Sequence, residues 1–312
     1  MLWFRVLIGI MTGPRAVERR QWIRDAWTSR LPEEMQAVFV VGGTNVVEDA
    51  WKGDILRVNA RETYPPGEKM LAFMSYCVSH LWSAGFCIKT DDDVVIGGRK
   101  LLYTLAPLYA ASRHIYLGAT LWASFAPATF EVCGHGMGPK SAWFAGLAEN
   151  CRQRGALGPF PYAVGTLEVL SVEVAELVIH NSSAPEMLRR ASALTPSPWT
   201  KGEDTALGMF VYEQWLPMTC LHAGWALIHD LCFECKDKTQ LWRPVTASSI
   251  AVHLKAHQAV RENYEGVAKN MTLTCDSECE ETPLAMEVDG LRDLCSRYDE
   301  MLFHYRLCEY DY

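Results

Sequence analysis

Short β-rich apolar runs alternate with helical patterns along the first 118 residues, and no other property of the chain limits its fold so tightly. Phe4–Ile10, Ala37–Val41, Ile55–Val58, Phe86–Lys89 and Ile115–Leu117 read as strands. Arg15–Ser29, Lys69–Ala84 and Lys100–Ser112 read as helices, the last leading straight into a strand as in a βαβ unit. The alternation predicts an α/β fold with a mostly parallel sheet and helices on both faces. Such sheets bind ligands outside the carboxyl ends of their strands. From about 119 to 275 the chain is rich in Gly, Pro and Trp and reads as longer loops, short strands and two or three helices. No segment reaches the roughly 18 apolar residues that span a bilayer. The apolar opening Met1–Met11 is interrupted by Arg5 and reads as a buried first strand, not a signal peptide. The chain is therefore expected to begin inside a fold, either lacking an N-terminal anchor or belonging to a protein without one.

Strand Phe86–Lys89 runs into Thr90-Asp-Asp-Asp-Val94. Adjacent carboxylates repel, so three at a buried strand end need a cation or a dense set of donors. A hard divalent cation answers this: Mg²⁺ or Mn²⁺ takes one or two carboxylates together with ligand phosphates. The bland alternative is a solvated acidic turn, which the Val and Ile flanks disfavour. A second metal reading competes further along. Cys232-x-x-Cys235 precedes His253-x-x-x-His257 at tetrahedral zinc spacing, although the segment between them reads as part of a larger domain.

With these residues in view the chain resembles the β-1,3-galactosyltransferase/Fringe-type family of inverting glycosyltransferases, glycosyltransferase family 31. The resemblance rests on an ordered set: Arg20-Gln-Trp-Ile-Arg-Asp-Ala-Trp27, Glu62-Thr-Tyr64 with Lys69, Lys89-Thr-Asp-Asp-Asp-Val94, Pro161-Tyr-Ala-Val-Gly165 with Val169-Leu-Ser171, Glu203-Asp-Thr-Ala-Leu-Gly208, and His253. Three departures stand out. Ala26 replaces a threonine, Lys69 comes one residue early, and Cys133-Gly-His-Gly-Met-Gly-Pro139 differs from the family's usual acceptor-side segment.

The resemblance implies a GT-A-type, Rossmann-like nucleotide-sugar-binding fold and transfer of a hexose from a UDP-sugar to a glycan or glycoprotein in β-1,3 linkage. It implies Mn²⁺ (or Mg²⁺) held by Asp93 and His253. Asp91 and Asp92 would bind ribose and donor-sugar hydroxyls, with Arg20, Arg24, Lys69, Gly165 and Glu203 also on the nucleotide sugar. A cation on the diphosphate lowers the barrier as a Lewis acid. Inversion also needs a base for the acceptor hydroxyl, and the resemblance puts it at Asp204. Each residue has a plainer reading. Asp204 could cap the helix predicted at Ala206–Tyr212. Arg20 could form a surface ion pair with Glu18 or Asp25. Gly165 could serve a tight turn, and His253 could be an ordinary core histidine. The functional alternative is a catalytically silent, glycan-binding relative. The implied setting is the Golgi lumen, with membrane attachment only through an N-terminal anchor absent from this chain.

Composition limits the partners. The net charge of −8 lies wholly in residues 276–312, which hold 11 acidic and 3 basic residues; residues 1–275 hold 26 of each. A charge-balanced body without a basic surplus predicts no nucleic-acid partner. Residues 1–275 read as one catalytic domain, with a nucleotide part to about 118 and an acceptor part after it. The acidic extension 276–312 carries a helical apolar pattern at Leu291, Leu294, Cys295, Tyr298 and Leu302 and is expected to dock as a helix. Eleven cysteines favour an oxidising lumen, and the odd count leaves at least one unpaired within the chain. Two glycosylation sequons occur, at Asn181 and Asn270.

Overall fold

The computed structural model describes residues 4–43, 52–62, 67–81, 85–136, 155–191, 202–214, 219–222, 228–231, 250–254, 261, 265, 267–269 and 304–306. The first part of the chain runs through β1 (Arg5–Met11), α1 (Val17–Ala26), β2 (Met35–Gly42), β3 (Ile55–Val58), α2 (Glu68–Leu81), β4 (Gly85–Asp91), β5 (Val94–Ile96), α3 (Gly98–Ala111) and β6 (Ile115–Gly118). There follow β7 (Thr120–Ala126), β8 (Glu131–Gly136), β9 (Leu157–Ala163), β10 (Glu168–Ser171), α4 (Val172–Asn181), α5 (Ala184–Ala191) and α6 (Glu203–Tyr212). Short strands β11 (Thr219–His222), β12 (Ile228–Leu231), β13 (Ala251–Leu254) and β14 (His304–Arg306) complete the described elements.

Eight strands form the central sheet in the order β14-β11-β6-β10-β4-β1-β2-β3. The pairs β4–β1, β1–β2, β2–β3 and β6–β11 are parallel, while β10 and β14 run against their neighbours. The fold is thus α/β with a mostly parallel central sheet, the class that the alternation predicts. All five predicted strands and all three predicted helices of the first 118 residues are present, Ile55–Val58 with the predicted ends and the others with shifted ends. The largest shift is in the first helix: α1 stops at Ala26 and Thr28–Arg30 tightens into a 3₁₀ turn, a common way for a helix to end.

Both faces of the sheet are covered, which explains why β1 is buried at every position after Arg5. Val6, Ile8, Phe86, Ile88, Ile115 and Val169 point to one side and pack with Ile23 of α1 and Leu101 and Leu105 of α3. Leu7, Cys87, Tyr116 and Leu170, one residue out of phase, point to the other. There they meet Phe73 and Met74 of α2, Val178 of α4 and Phe210 of α6. The period-two alternation of strand side chains thus assigns each helix its layer. A disulfide between Cys77 and Cys87, both buried, joins α2 to β4. Trp27 belongs to the core.

Two three-stranded sheets, β12-β13-β5 and β8-β7-β9, flank the main one. In the acidic extension, β14 pairs along the edge of the main sheet with β11. The helical pattern at Leu291–Leu302 lies outside the described residues, as do Asn270, Cys232, Cys235 and His257.

Candidate active site

Strand β4 lies between β1 and β10, and its carboxyl end delivers the aspartate triplet. Asp91 ends the strand, Asp92 and Asp93 make the turn, and β5 starts at Val94. Because β5 pairs with β13, with Val94 opposite His253, a residue 160 positions later comes beside the triplet. His253 Nε2 is 3.4 Å from Asp93 Oδ2, and the Leu254 N–H donates to the Asp93 carbonyl at 2.6 Å. Asp93 Oδ1 is buried without a hydrogen-bond partner, so a bound group could satisfy it. No group of three or more potential ligands occurs among the described residues. A carboxylate and an imidazole nevertheless fit a hard divalent ion, which keeps several waters and takes oxygens from substrate phosphates.

Asp92 has a different environment. Thr12 Oγ1 donates to its Oδ2 and Arg19 Nη1 to its Oδ1, both at 2.7 Å, tying the end of β4 to the β1–α1 junction. Arg20 is fully buried and donates to the carbonyls of Gly13 at 2.6 Å and Pro14 at 3.4 Å, so it braces that junction from within and is no surface residue. Arg24 directs its fork at Asp54 (2.7 and 2.8 Å) and lies over the Phe39 ring. Lys69 reaches the Thr12 carbonyl and Glu62, and Glu62 accepts from the Gly42 N–H. The arginine that meets the triplet is therefore Arg19, which sequence reasoning passed over in favour of Arg20 and Arg24.

The densest chemistry surrounds Lys89. Its ammonium is 3.0 Å from Glu168 Oε1 and 3.2 Å from both Asp91 Oδ1 and Asp204 Oδ1. Lys89 and Glu168 are buried, whereas the Asp91 and Asp204 side chains stay 43% and 32% exposed, so only the aspartates open to a ligand. Asp204 lies in the first turn of α6, whose N-cap is Gly202. It is not the cap. Its carboxylate instead accepts from the Gly165 N–H at 2.8 Å and from Lys89. A Cβ on Gly165 would come 3.0 Å from an oxygen of each aspartate, so at this position a glycine lets the backbone approach both.

Electrostatics in the cluster follow from burial and crowding. Burial alone would lower the Lys89 ammonium, but Asp204, Asp91, Glu168 and Glu203 outweigh it and hold it well above its ordinary value. Glu168 is pushed well above the usual carboxylate range by burial, with Lys89 opposing and Asp204 and Glu203 adding repulsion. Glu203 is raised by burial against the pull of Lys89, with Asp204 and Asp91 adding to it, and its Oε1 is buried without a hydrogen-bond partner. Desolvation by the surrounding walls raises Asp91 too, against Lys89 and with Asp204 and Asp93. Burial, with Asp204 nearby, takes the Tyr162 phenol up to about 12.

Among the sequence-derived candidates, the fold gathers Asp91, Gly165, Glu203 and Asp204 around Lys89, and Asp93 with His253. It puts Arg20, Arg24 and Lys69 into supporting contacts. Glu168 was missed, although a lone carboxylate inside the apolar run Leu167–Leu170 was a visible signal.

Solved structures with a similar chain path include an active-site mutant of LgtC (10% identity, 85% of this chain and 96% of that one, TM-score 0.42). Apo mouse xyloside xylosyltransferase 1 is another (11%, 82% and 99%, 0.40). The glycosyltransferase GlyE of Streptococcus pneumoniae TIGR4 is a third (10%, 98% and 66%, 0.40). Likenesses this distant carry no weight for the chemistry. No curated protein sequence matches the chain. The family model described as galactosyltransferase matches residues 18–191. That match begins at the helix that supplies Arg19, takes in the whole triplet and the Lys89 cluster up to Glu168, and covers more than half of the chain, which therefore belongs to the galactosyltransferase family, glycosyltransferase family 31.

Proposed function

We propose that the protein is a metal-dependent inverting hexosyltransferase that moves a sugar from a UDP-sugar to a glycan or glycoprotein in β-1,3 linkage, with Asp204 as base. One observation carries the reading. A partly exposed carboxylate, Asp204, is held by the Gly165 N–H and Lys89 beside Asp91, at the same strand end as Asp93 and His253. A base must be oriented and reachable, and Asp204 is both.

Asp93 and His253 would hold a divalent cation, Mn²⁺ or Mg²⁺. When bound, such an ion supplies charge neutralisation to the leaving diphosphate. Asp91 would accept hydrogen bonds from donor hydroxyls, and Asp92, with both oxygens engaged, keeps the turn in place for its neighbours. Asp204 Oδ2 would take the acceptor proton as its oxygen attacks the anomeric carbon, while the Gly165 N–H fixes the carboxylate plane. The experiment is Asp204→Asn assayed by UDP release in Mn²⁺ across UDP-galactose, UDP-N-acetylglucosamine and UDP-N-acetylgalactosamine. Turnover should fall roughly 10²–10⁴-fold with UDP binding retained. Undiminished transfer by the variant would sink the assignment. A wild-type chain that binds UDP but transfers nothing would favour the silent, glycan-binding alternative.

We further propose residence in the Golgi lumen, supported by the buried Cys77–Cys87 disulfide, a second disulfide at Cys133 and the exposed sequon residue Asn181. Loss of a glycosidase-sensitive mobility shift in Asn181→Gln, in protein made through the secretory route, checks this.

A further inference from the structure

We infer that Lys89 and Glu168 form a positioning pair for the base: Glu168 anchors the buried ammonium, and Lys89 holds Asp91 and Asp204 together on either side of Gly165. The inference rests on the reading of Asp204 as base. Its geometry begins in the β10–β4 ladder, where Glu168 is directly opposite Lys89. Directly opposed residues share a face of the sheet, so the two side chains are bound to meet. Neither oxygen of Glu168 has a hydrogen-bond partner among the described residues, and its ion pair there is with the ammonium at 3.0 Å, while Asp204 and Glu203 repel it. A buried carboxylate in that state is costly, and its only evident service is to the lysine.

Lysine in turn solves a problem that the fold creates. Asp204 arrives on α6, 115 residues after Lys89, and comes to rest against Asp91. Two carboxylates this close repel, and a cation between them is what keeps both in place. Among the described residues, the charged or titratable groups that face Asp204 are Lys89 and Asp91 on β4, Glu168 on β10, Tyr162 on β9 and Glu203 beside it on α6. Among these, Lys89 is the cation. It is buried, so it touches no substrate; it acts through Asp204 and is a positioning residue.

The test compares full-length wild type with Lys89→Met/Glu168→Leu, Glu168→Gln and Asp204→Asn. UDP release from the best donor is followed in Mn²⁺ from pH 5 to 9, with UDP affinity measured by calorimetry. Replacing a buried ion pair by apolar residues of similar volume is often neutral for stability, so the double variant separates folding from function. We expect it to bind UDP as wild type does and to lose roughly 10–100-fold in kcat, as a misplaced catalytic group does. The acidic limb of its kcat profile should move to higher pH, since a carboxylate deprived of its cation and left facing others is harder to ionise. A structural role alone would leave that limb in place. If the double variant unfolds, Glu168→Gln decides: it keeps the shape, and in the part of the pH profile where the wild-type Glu168 carboxyl is ionised, kcat should drop roughly 10-fold at unchanged UDP affinity. A folded double variant, or failing that Glu168→Gln, with wild-type kcat and pH profile overturns the inference. If Asp204→Asn is inactive in that case, the base assignment survives and only the positioning pair falls; if Asp204→Asn is fully active, both fall.

Discussion

The two ends of strand β4 are only a few residues apart and are built on opposite principles. At its amino end polar groups are paired within an aromatic cluster, with one buried oxygen, Glu173 Oε2, left over. The Gly85 N–H donates to Tyr109 Oη (3.2 Å), which donates to Glu173 (3.1 Å), while Arg113 covers the Tyr109 ring at 4.1 Å. Phe4, Phe86 and Tyr109 meet with ring centroids 5.2–5.6 Å apart. At the carboxyl end, Asp93, Glu168 and Glu203 keep buried oxygens without hydrogen-bond partners, and carboxylates outnumber the buried ammonium. Among the described residues, the amino end leaves one such oxygen, on Glu173, whereas the carboxyl end leaves four, on Asp93, Glu168 and Glu203, which a ligand could satisfy. Structures concentrate such unfavourable arrangements where function needs them.

Substitutions at the two ends should therefore separate stability from activity. The largest stability effect is expected for Phe86→Ala, which opens a cavity among three rings and should cost about 3–5 kcal/mol by denaturant unfolding. Turnover by the folded fraction should not change, and a kcat loss without destabilisation would break the contrast. Next comes Asp93→Asn. On the proposed role of Asp93 as a cation ligand, activity should fall roughly 100-fold and the Mn²⁺ requirement should rise. The melting temperature should fall little, because Oδ1 has no partner to lose and Oδ2 makes only a long, 3.4 Å contact with the His253 imidazole. A large drop in melting temperature would mean that Asp93 belongs to the scaffold.

The smallest effect is a pH slope. Glu168 is raised by burial above its ordinary value of 4.5, so the folded chain holds this proton more tightly than the unfolded chain does. Its contribution to stability is therefore greatest below about 4.5 and is lost as the pH rises through the raised folded value. Glu168→Gln should flatten the fall in melting temperature over that window. An unchanged slope would move the titration to another carboxyl.

Much of this architecture was legible in advance because burial on both faces of a parallel sheet leaves strands apolar throughout, as in Leu7–Met11 and Phe86–Ile88. The triplet was legible for the opposite reason, since nothing local explains Asp91-Asp92-Asp93. Arg19 was not. Beside Arg20, it differs only in which side of α1 faces Thr12 and Asp92, and helix phase relative to a sheet is not a local property. The start of α6 was misplaced too. The sequence places the helix start at Ala206, yet Glu203 and Asp204 already belong to its first turn, where long-range contacts to Gly165 and Lys89 hold Asp204.

The sequence alone determined the class of fold, the identity of the charged strand end and the family, since each depends on residue type and spacing along the chain. Only the tertiary structure decided the alliances: Asp93 with His253 through the β5–β13 pairing, Lys89 with Glu168 across the β10–β4 ladder, and Asp204 brought from α6 to Asp91 over Gly165. Those pairings depend on strand register and helix placement, set by the packing of the whole core, and no stretch of residues encodes them by itself.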